Sequence, residues 1–101
     1  MRLMLFFDLP VEKKEQQHAY RAFVRNIKKL GFYMLQKSVY VKMGIDVQAI
    51  NSTIAKIKDF CPKEGDISIL SITEKQFAAI EFILGGKATD VINGDERIIT
   101  L

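Results

Sequence analysis

A single carboxylate at the end of an apolar run is the first candidate for chemistry in this sequence. Leu3 to Phe7 are five apolar residues in a row, and Asp8 follows them directly before Leu9-Pro10. A run without a polar face predicts a central strand covered on both sides, and the proline ends it because it has no amide to donate. A carboxylate there costs free energy unless something pairs with it. Asp8 therefore either caps a backbone amide of the following turn or holds a metal ion or activates a phosphate at the strand tip.

The second candidate is a row of basic side chains on a helix predicted from about Glu12 to Leu30, where Gly31 supplies the stop. Apolar residues recur there at three- and four-residue spacing and predict a buried stripe: Tyr20, Phe23, Ile27 and Leu30. Basic residues recur at the same spacing on nearly the opposite side: Lys14, His18, Arg21, Arg25 and Lys28, with Lys29 beside them. This row is either the solvated face of a helix or a ridge that contacts phosphates and weakens with salt.

Composition narrows the class of protein. Residues 1–42 carry nine Lys/Arg against three Asp/Glu, whereas residues 43–101 carry six against nine. This asymmetry favours a basic face and a polyanionic partner.

The single cysteine, Cys61, excludes an internal disulfide, and with one histidine it does not make a zinc site; we expect it in the core. No apolar segment approaches the ~20 residues of a membrane span, so we expect a cytoplasmic protein without membrane association.

The rest of the chain alternates strand and helix patterns. Gly31 to Met43 predicts one long strand or two strands with a break near Gln36-Lys37. Asp46 is a suitable N-cap for a second helix, whose predicted apolar face is Val47, Ile50, Ile54, Ile57 and Cys61. We then expect a strand at Ile67–Ile72, a short helix after a capping box at Thr73–Gln76 that runs to about Ile80, a brief strand at Phe82–Leu84, and a terminal strand at Ile98–Leu101.

This order predicts an α+β fold of the ferredoxin-like βαββαβ type, an antiparallel sheet with two helices on one face. We expect residues 1–101 to form a single domain, in which about 85–101 is a C-terminal extension whose strand pairs with a sheet edge. That edge could belong to a second copy of the chain. The fold hosts many functions and decides none of them.

Several motifs together resemble a known family. Phe7-Asp8 with Leu9-Pro10, the basic helix, and the run Gly31-Phe32-x-x-x-Gln36-x-Ser38-Val39-Tyr40 resemble the Cas-two family, the smaller of the two core CRISPR adaptation proteins. The resemblance covers essentially the whole chain and is greatest to members from type II systems. It implies a ferredoxin-like homodimer whose C-terminal strand packs on the partner subunit, with two Asp8 carboxylates facing across the two-fold axis.

The resemblance implies two activities. Family members are described as Mg²⁺-dependent endonucleases, with the metal held by the residue that matches Asp8, which is then both the metal ligand and the catalytic residue. They are also described as the scaffold on which the larger adaptation protein, the CRISPR integrase, is mounted, with basic surface holding double-stranded DNA. We favour the scaffold role over phosphodiester hydrolysis because no general base accompanies Asp8, and Met34 stands where many nuclease-like members carry arginine.

The expected nucleic-acid contacts are the ridge residues Lys14, His18, Arg21, Arg25 and Lys28, together with Lys37 and Arg2. A third hypothesis is an RNA-binding module of the RRM kind, since Phe6, Phe7, Phe32, Tyr33 and Tyr40 lie on or beside predicted strands. That hypothesis requires aromatic rings on an exposed sheet face and an RNP1-like run, which the sequence lacks.

Overall fold

The structure is a computed structural model that describes residues 1–86. Its elements follow the predicted order of strands and helices. They are β1 (Arg2–Asp8), α1 (Lys14–Lys29), β2 (Tyr33–Gln36), β3 (Val39–Met43), α2 (Val47–Asp59), β4 (Asp66–Ile72) and α3 (Glu74–Ala78). The terminal strand predicted at 98–101 and most of the extension predicted at about 85–101 lie outside the described residues.

The four strands form one antiparallel sheet in the order β2-β3-β1-β4. The apolar strand β1 is therefore interior, as its sequence predicted, and it pairs along nearly its whole length with both neighbours. Arg2 lies opposite Ile72 and Asp8 opposite Asp66 on one side, while Arg2 lies opposite Met43 on the other. The βαββαβ order and this topology confirm the ferredoxin-like fold.

Both long helices pack on one face of the sheet, as expected. Leu3, Leu5 and Phe7 of β1 are buried under Phe23 and Ile27 of α1. Ile50 and Ile57 of α2 complete the same core. Helix α1 ends in a Schellman motif: Gly31 has φ +104°, the Phe32 amide donates to the Ile27 carbonyl and the Gly31 amide to that of Lys28. The chain thus turns sharply into β2, and α1 keeps its apolar stripe on the sheet.

The opposite face of the sheet is only half covered within residues 1–86. Helix α3 packs on this face through Phe77, which forms a second buried cluster with Leu35 and Val41. This cover lies at the end where β1 begins, since Arg2 stacks on the Phe77 ring 4.3 Å from its centroid. Beyond this cover, Leu70, opposite Met4 near the middle of the sheet, is 53% exposed, and Phe6, nearer the end where β1 finishes, is half-buried. We call this surface, formed by Phe6, Asp8, Asp66, Ser68 and Leu70, the bare half of the sheet.

Three sequence predictions were wrong in detail. Val47 is 67% exposed, at the first residue of α2. Cys61 is exposed because it follows the helix end at Phe60, where helical periodicity no longer applies. Phe82–Leu84 do not form a strand; Ile83 and Leu84 are almost fully exposed, and the chain turns at Gly85 and Gly86, both at positive φ.

Within residues 1–86, no helix is both long and apolar enough to cross a membrane.

Candidate nucleic-acid interface

The basic ridge predicted on α1 is exposed along its whole length. Phe23 and Ile27 face the sheet, so the ridge points away from it. Each predicted ridge residue is exposed: Lys14, His18, Arg21, Arg25, Lys28 and Lys29. At a rise of 1.5 Å per residue the ridge from Lys14 to Lys28 spans roughly 21 Å, close to the length of about six base pairs at 3.4 Å each.

The ridge cations have no carboxylate partners among the described residues. Every salt bridge formed within residues 1–86 involves Glu74, which pairs with Arg2 and with the amino group of Met1. The acidic residues near α1 lie at its N-terminal end: Glu12 and Glu15 precede or belong to its first turn, and Glu64 accepts a hydrogen bond from Gln16, where the helix dipole favours negative charge. The rest of the ridge is therefore a strip of uncompensated positive charge.

Asp8 lies at the tip of β1 on the bare half of the sheet, and its side chain is exposed. No hydrogen bond among residues 1–86 involves its carboxylate, so the capping interpretation has no contact to support it. Its direct partner across the antiparallel pair is Asp66, the first residue of β4. Side chains opposite each other in such a pair share one face and have Cβ atoms about 4.5–5.5 Å apart, so two acidic residues are neighbours at this end of the sheet.

Asp8 and Asp66 offer the carboxylate oxygens that a hard cation prefers, but two residues supply too few of them to fill its coordination shell. Mg²⁺ is usually bound by one or two carboxylates and completed by waters and substrate phosphates. Asp8 and Asp66 supply such oxygens, while no cluster of three or more His, Cys, Asp or Glu side chains occurs among residues 1–86. The donor set of this part of the chain therefore fits Mg²⁺ only with oxygens from water, phosphate or a second copy.

Asp66 was missed by the sequence analysis, although a signal for it exists. The alternation of Ile67, Ser68 and Ile69 marks a strand that begins beside Asp66, and β1 is long enough to pair with all of it. With Ile67 and Ile69 on the helix face, Asp66 lies on the opposite face, the one that also carries Asp8; the register that sets the two residues opposite each other is not given by this pattern.

The other two predicted cations lie in different settings. Lys37 is exposed in the tight β2–β3 turn, and the next residue, Ser38, accepts a hydrogen bond from the Phe7 amide at 3.1 Å. This places Lys37 at the Asp8 end of the sheet. Arg2 is instead engaged at the opposite end of β1: its Nε donates to Glu74 at 2.8 Å and its Nη1 to the Tyr33 hydroxyl at 2.8 Å. Arg2 therefore links α3 to the sheet, and its guanidinium is engaged by Glu74 and Tyr33 instead of being free for phosphate.

The structure thus separates the candidate residues into two groups. The ridge lies on the outer side of the helix layer, whereas Asp8 lies on the other face of the sheet. His18, the sole histidine, belongs to the ridge, so it does not serve as a base for Asp8 within one chain. The aromatic rings of the RRM hypothesis are largely internal: Phe7, Phe32 and Tyr40 are buried, and Phe7 packs against Phe23 and Tyr40.

A protein-family model described as "CRISPR associated protein Cas2" matches residues 1–80. The chain belongs to the Cas2 family. This confirms the resemblance to the Cas-two family, and it makes the function of the chain CRISPR-related.

Full-length relatives agree with this assignment. The chain is 42% identical over 101 residues to a Cas2 protein of Treponema denticola and 43% identical to one of Ligilactobacillus salivarius, in each case covering all of both chains. A Streptococcus mutans relative is 40% identical and is covered over 93% of its length. All three are named "CRISPR-associated endoribonuclease Cas2". The crystal structure of Streptococcus pyogenes Cas2 has the same fold, with a TM-score of 0.65 over 84% of this chain and all of that one at 14% identity.

Proposed function

We propose that the protein is a dimeric, duplex-DNA-binding scaffold of CRISPR spacer acquisition, on which the integrase, the larger adaptation protein, is assembled. The single observation that carries this proposal is the ridge on α1, an exposed strip of cations without carboxylate partners within residues 1–86. Family membership supplies the CRISPR context.

The ridge suits a regular polyanion better than a small ligand. Its cations recur every three or four residues along roughly 21 Å, and duplex DNA presents one negative charge per ~1.7 Å of axis. Several phosphates can therefore be neutralised at once, which releases counterions and gives affinity without base recognition. This is what a scaffold that must accept duplexes of any sequence requires.

A second copy is the occupant we propose for the bare half of the sheet. Leu70 and Phe6 present apolar surface there, and a two-fold pairing through this surface would bring two sets of Asp8 and Asp66 close to the axis. Four carboxylates near one axis would repel unless cations or protons neutralise them. Dimerisation and Mg²⁺ binding are thus linked in this proposal.

The test of the scaffold proposal removes two ridge charges. Arg21→Gln with Arg25→Gln should lower affinity for a 30-base-pair duplex about 60-fold at 0.1 M salt, because each lost phosphate contact contributes a slope of about 0.9 in log K against log salt. The matched control is Lys63→Gln with Lys75→Gln, which changes net charge equally at exposed positions off α1. Equal losses in the two variants would show that only net charge matters, and the ridge would be rejected. Spacer integration measured with the integrase should likewise be lowered more by the Arg21, Arg25 variant than by the Lys63, Lys75 control.

The second candidate function is a Mg²⁺-dependent endoribonuclease, because the curated relatives carry that name and Asp8 faces a second carboxylate. Asp8 and Asp66 would hold the ion, which would supply charge neutralisation at a phosphodiester. Asp8→Asn should then abolish Mg²⁺-dependent cleavage of single-stranded RNA while leaving duplex affinity unchanged. Asp59→Asn, at an exposed carboxylate of α2, is the control. Integration that survives Asp8→Asn would separate the scaffold role from any nuclease activity.

A further inference from the structure

A second group of cations lies beyond the C-terminal end of the ridge. The ammonium group of Lys42 sits beside Gly31, so close that a side chain placed on this glycine would meet Lys42 Nζ at 3.0 Å. Gly31 follows the last turn of α1, which carries Lys28 and Lys29. The Lys42 ammonium group therefore lies at a helix end whose dipole amounts to about half a negative charge, and its full positive charge makes the local balance positive.

Lys42 also lines a hollow between β3 and α2, together with Lys56. The hollow has a volume of about 210 Å³, far more than the roughly 10–15 Å³ that a single water needs. Its apolar walls come from Leu3, Met43 and Ile45. Among the described residues that line it, none is acidic. The nearby carboxylate of Asp46 is occupied at the N-cap of α2, where it accepts from the Ala49 amide at 2.8 Å.

The hollow also offers hydroxyl chemistry suited to an anion. Ser52 is exposed on the same wall as Lys56, one helical turn away. The neighbouring Thr53 donates its hydroxyl to the Ala49 carbonyl at 3.0 Å, so Ser52 is the hydroxyl that remains free for a ligand. Lys42 and Lys56 carry their ammonium groups on flexible four-carbon stems, so both residues lining the hollow can turn toward an anion there. Together with the Ser52 hydroxyl, and beside apolar surface that reduces screening by water, they favour a phosphate group.

We propose that this hollow binds one backbone phosphate of the nucleic acid between Lys42 and Lys56, and so extends the contact surface from α1 onto α2. The proposal rests on the proposed function, since it names a further contact of the same polyanion. The contact carries no base specificity, because its donors reach only phosphate oxygens.

The experiment replaces Lys56 by methionine, which removes the charge and keeps an unbranched apolar stem. Lys56→Met should lower duplex affinity about eightfold at 0.1 M salt. It should also reduce the slope of log affinity against log salt by about 0.9, the contribution of one phosphate contact. The control is Lys58→Met on the same helix, whose side chain lines a different cavity beside β4. Equal effects of the two variants would overturn the proposal.

A second measurement does not depend on the duplex. Titrating inorganic phosphate into ¹⁵N-labelled protein should shift the amide signals of Lys42 and of 52–56, and a Lys42→Met, Lys56→Met variant with an unchanged circular dichroism spectrum should lose these shifts. Shifts that persist in the double variant, or that are absent from the wild type, would overturn the proposal.

The outcomes also separate this proposal from the scaffold. If the Arg21, Arg25 variant loses affinity while Lys56→Met matches its control, the hollow is rejected and the scaffold stands. If Lys56→Met alone loses affinity, the hollow stands and the ridge on α1 is rejected.

Discussion

Arg2 and Glu74 form the shorter of the ion pairs among the described residues, and it joins β1 to α3. The hydrogen bond from Arg2 lowers the pKa of the Glu74 carboxyl below its usual range, against a smaller opposing effect of burial. The charged form of Glu74 is thus favoured in the folded state. Because the folded pKa is depressed, this contribution to stability is present above the ordinary glutamate pKa and disappears as the pH falls through the folded value.

Glu74→Gln should therefore lower the free energy of unfolding at pH 7 by about 0.2–1 kcal/mol, a modest amount because the carboxylate is half exposed. The deficit should shrink as the pH falls below the glutamate range and vanish in strong acid. Urea unfolding at several pH values measures this difference. Glu81→Gln, at an exposed carboxylate for which residues 1–86 provide no ion-pair partner, is the control. A deficit that stays constant with pH would contradict the assigned role.

For single residues, the sequence predicted which side chains are exposed better than it predicted which side chains contact each other. Periodicity alone placed His18 and Arg25 on the outside of α1, since a helix repeats every 3.6 residues whatever it packs on. It could not show that Arg2 is occupied by Glu74, because the two residues are 72 positions apart. The Asp8–Asp66 pair was hidden for the same reason, since strand register joins distant parts of the chain.

At the scale of the elements, the link from α2 to β4 controls the position of the acidic pair. Gly65 has φ +104°, and a Cβ there would lie 2.6 Å from the Asp8 carbonyl oxygen and 2.7 Å from Leu9 Cδ2. Neither the backbone oxygen nor the buried leucine can yield cheaply. The absence of a side chain at Gly65 thus lets β4 begin against the end of β1.

Gly65→Ala should destabilise the fold by more than the roughly 1–3 kcal/mol of an unfavourable backbone region, because a steric clash is added. Gly85→Ala provides a matched control: its φ is also positive, at +84°, but a Cβ there meets nothing within 4 Å. Thermal unfolding of the two variants measures the difference. Equal melting temperatures would show that the close approach to Asp8 costs nothing.

The long elements were predictable because their patterns are regular over many residues. The sixteen-residue α1 repeats the helical period without interruption, and β1 is one continuous apolar run. The predictions failed where an element ends: Val47 is the first residue of α2 and Cys61 follows its end, and Phe82–Leu84 has strand composition without a strand to pair with among residues 1–86.

At the scale of the whole molecule, the two faces of the sheet differ in how far helices cover them. One face lies under α1 and α2, and the other is covered by α3 at one end only. Leu70 therefore remains 53% exposed in the middle of β4, which is unusual for a leucine pointing from a sheet face that adjoins a buried cluster. This is the surface that a second copy would cover.

Leu70→Glu should convert a dimer into a monomer, because it would place two carboxylates in an apolar interface. Light scattering during gel filtration measures the mass directly. Val47→Glu is the control, since Val47 is more exposed, at 67%, but lies at the start of α2. A dimer that survives Leu70→Glu, or dissociates equally in both variants, would place the interface elsewhere.

The ridge and the bare half of the sheet lie on opposite sides of the molecule, and this restricts the path of a bound duplex. If two copies join through their sheets, the helix layers become the two outer surfaces, and the ridges face away from each other. Sheets stack about 10 Å apart, and a layer of helices adds about 10 Å on each side, so the ridges are separated by roughly 30 Å. A straight duplex could therefore lie along one ridge but not both, and hydroxyl-radical footprinting should show one protected stretch of about six base pairs for each ridge that is engaged.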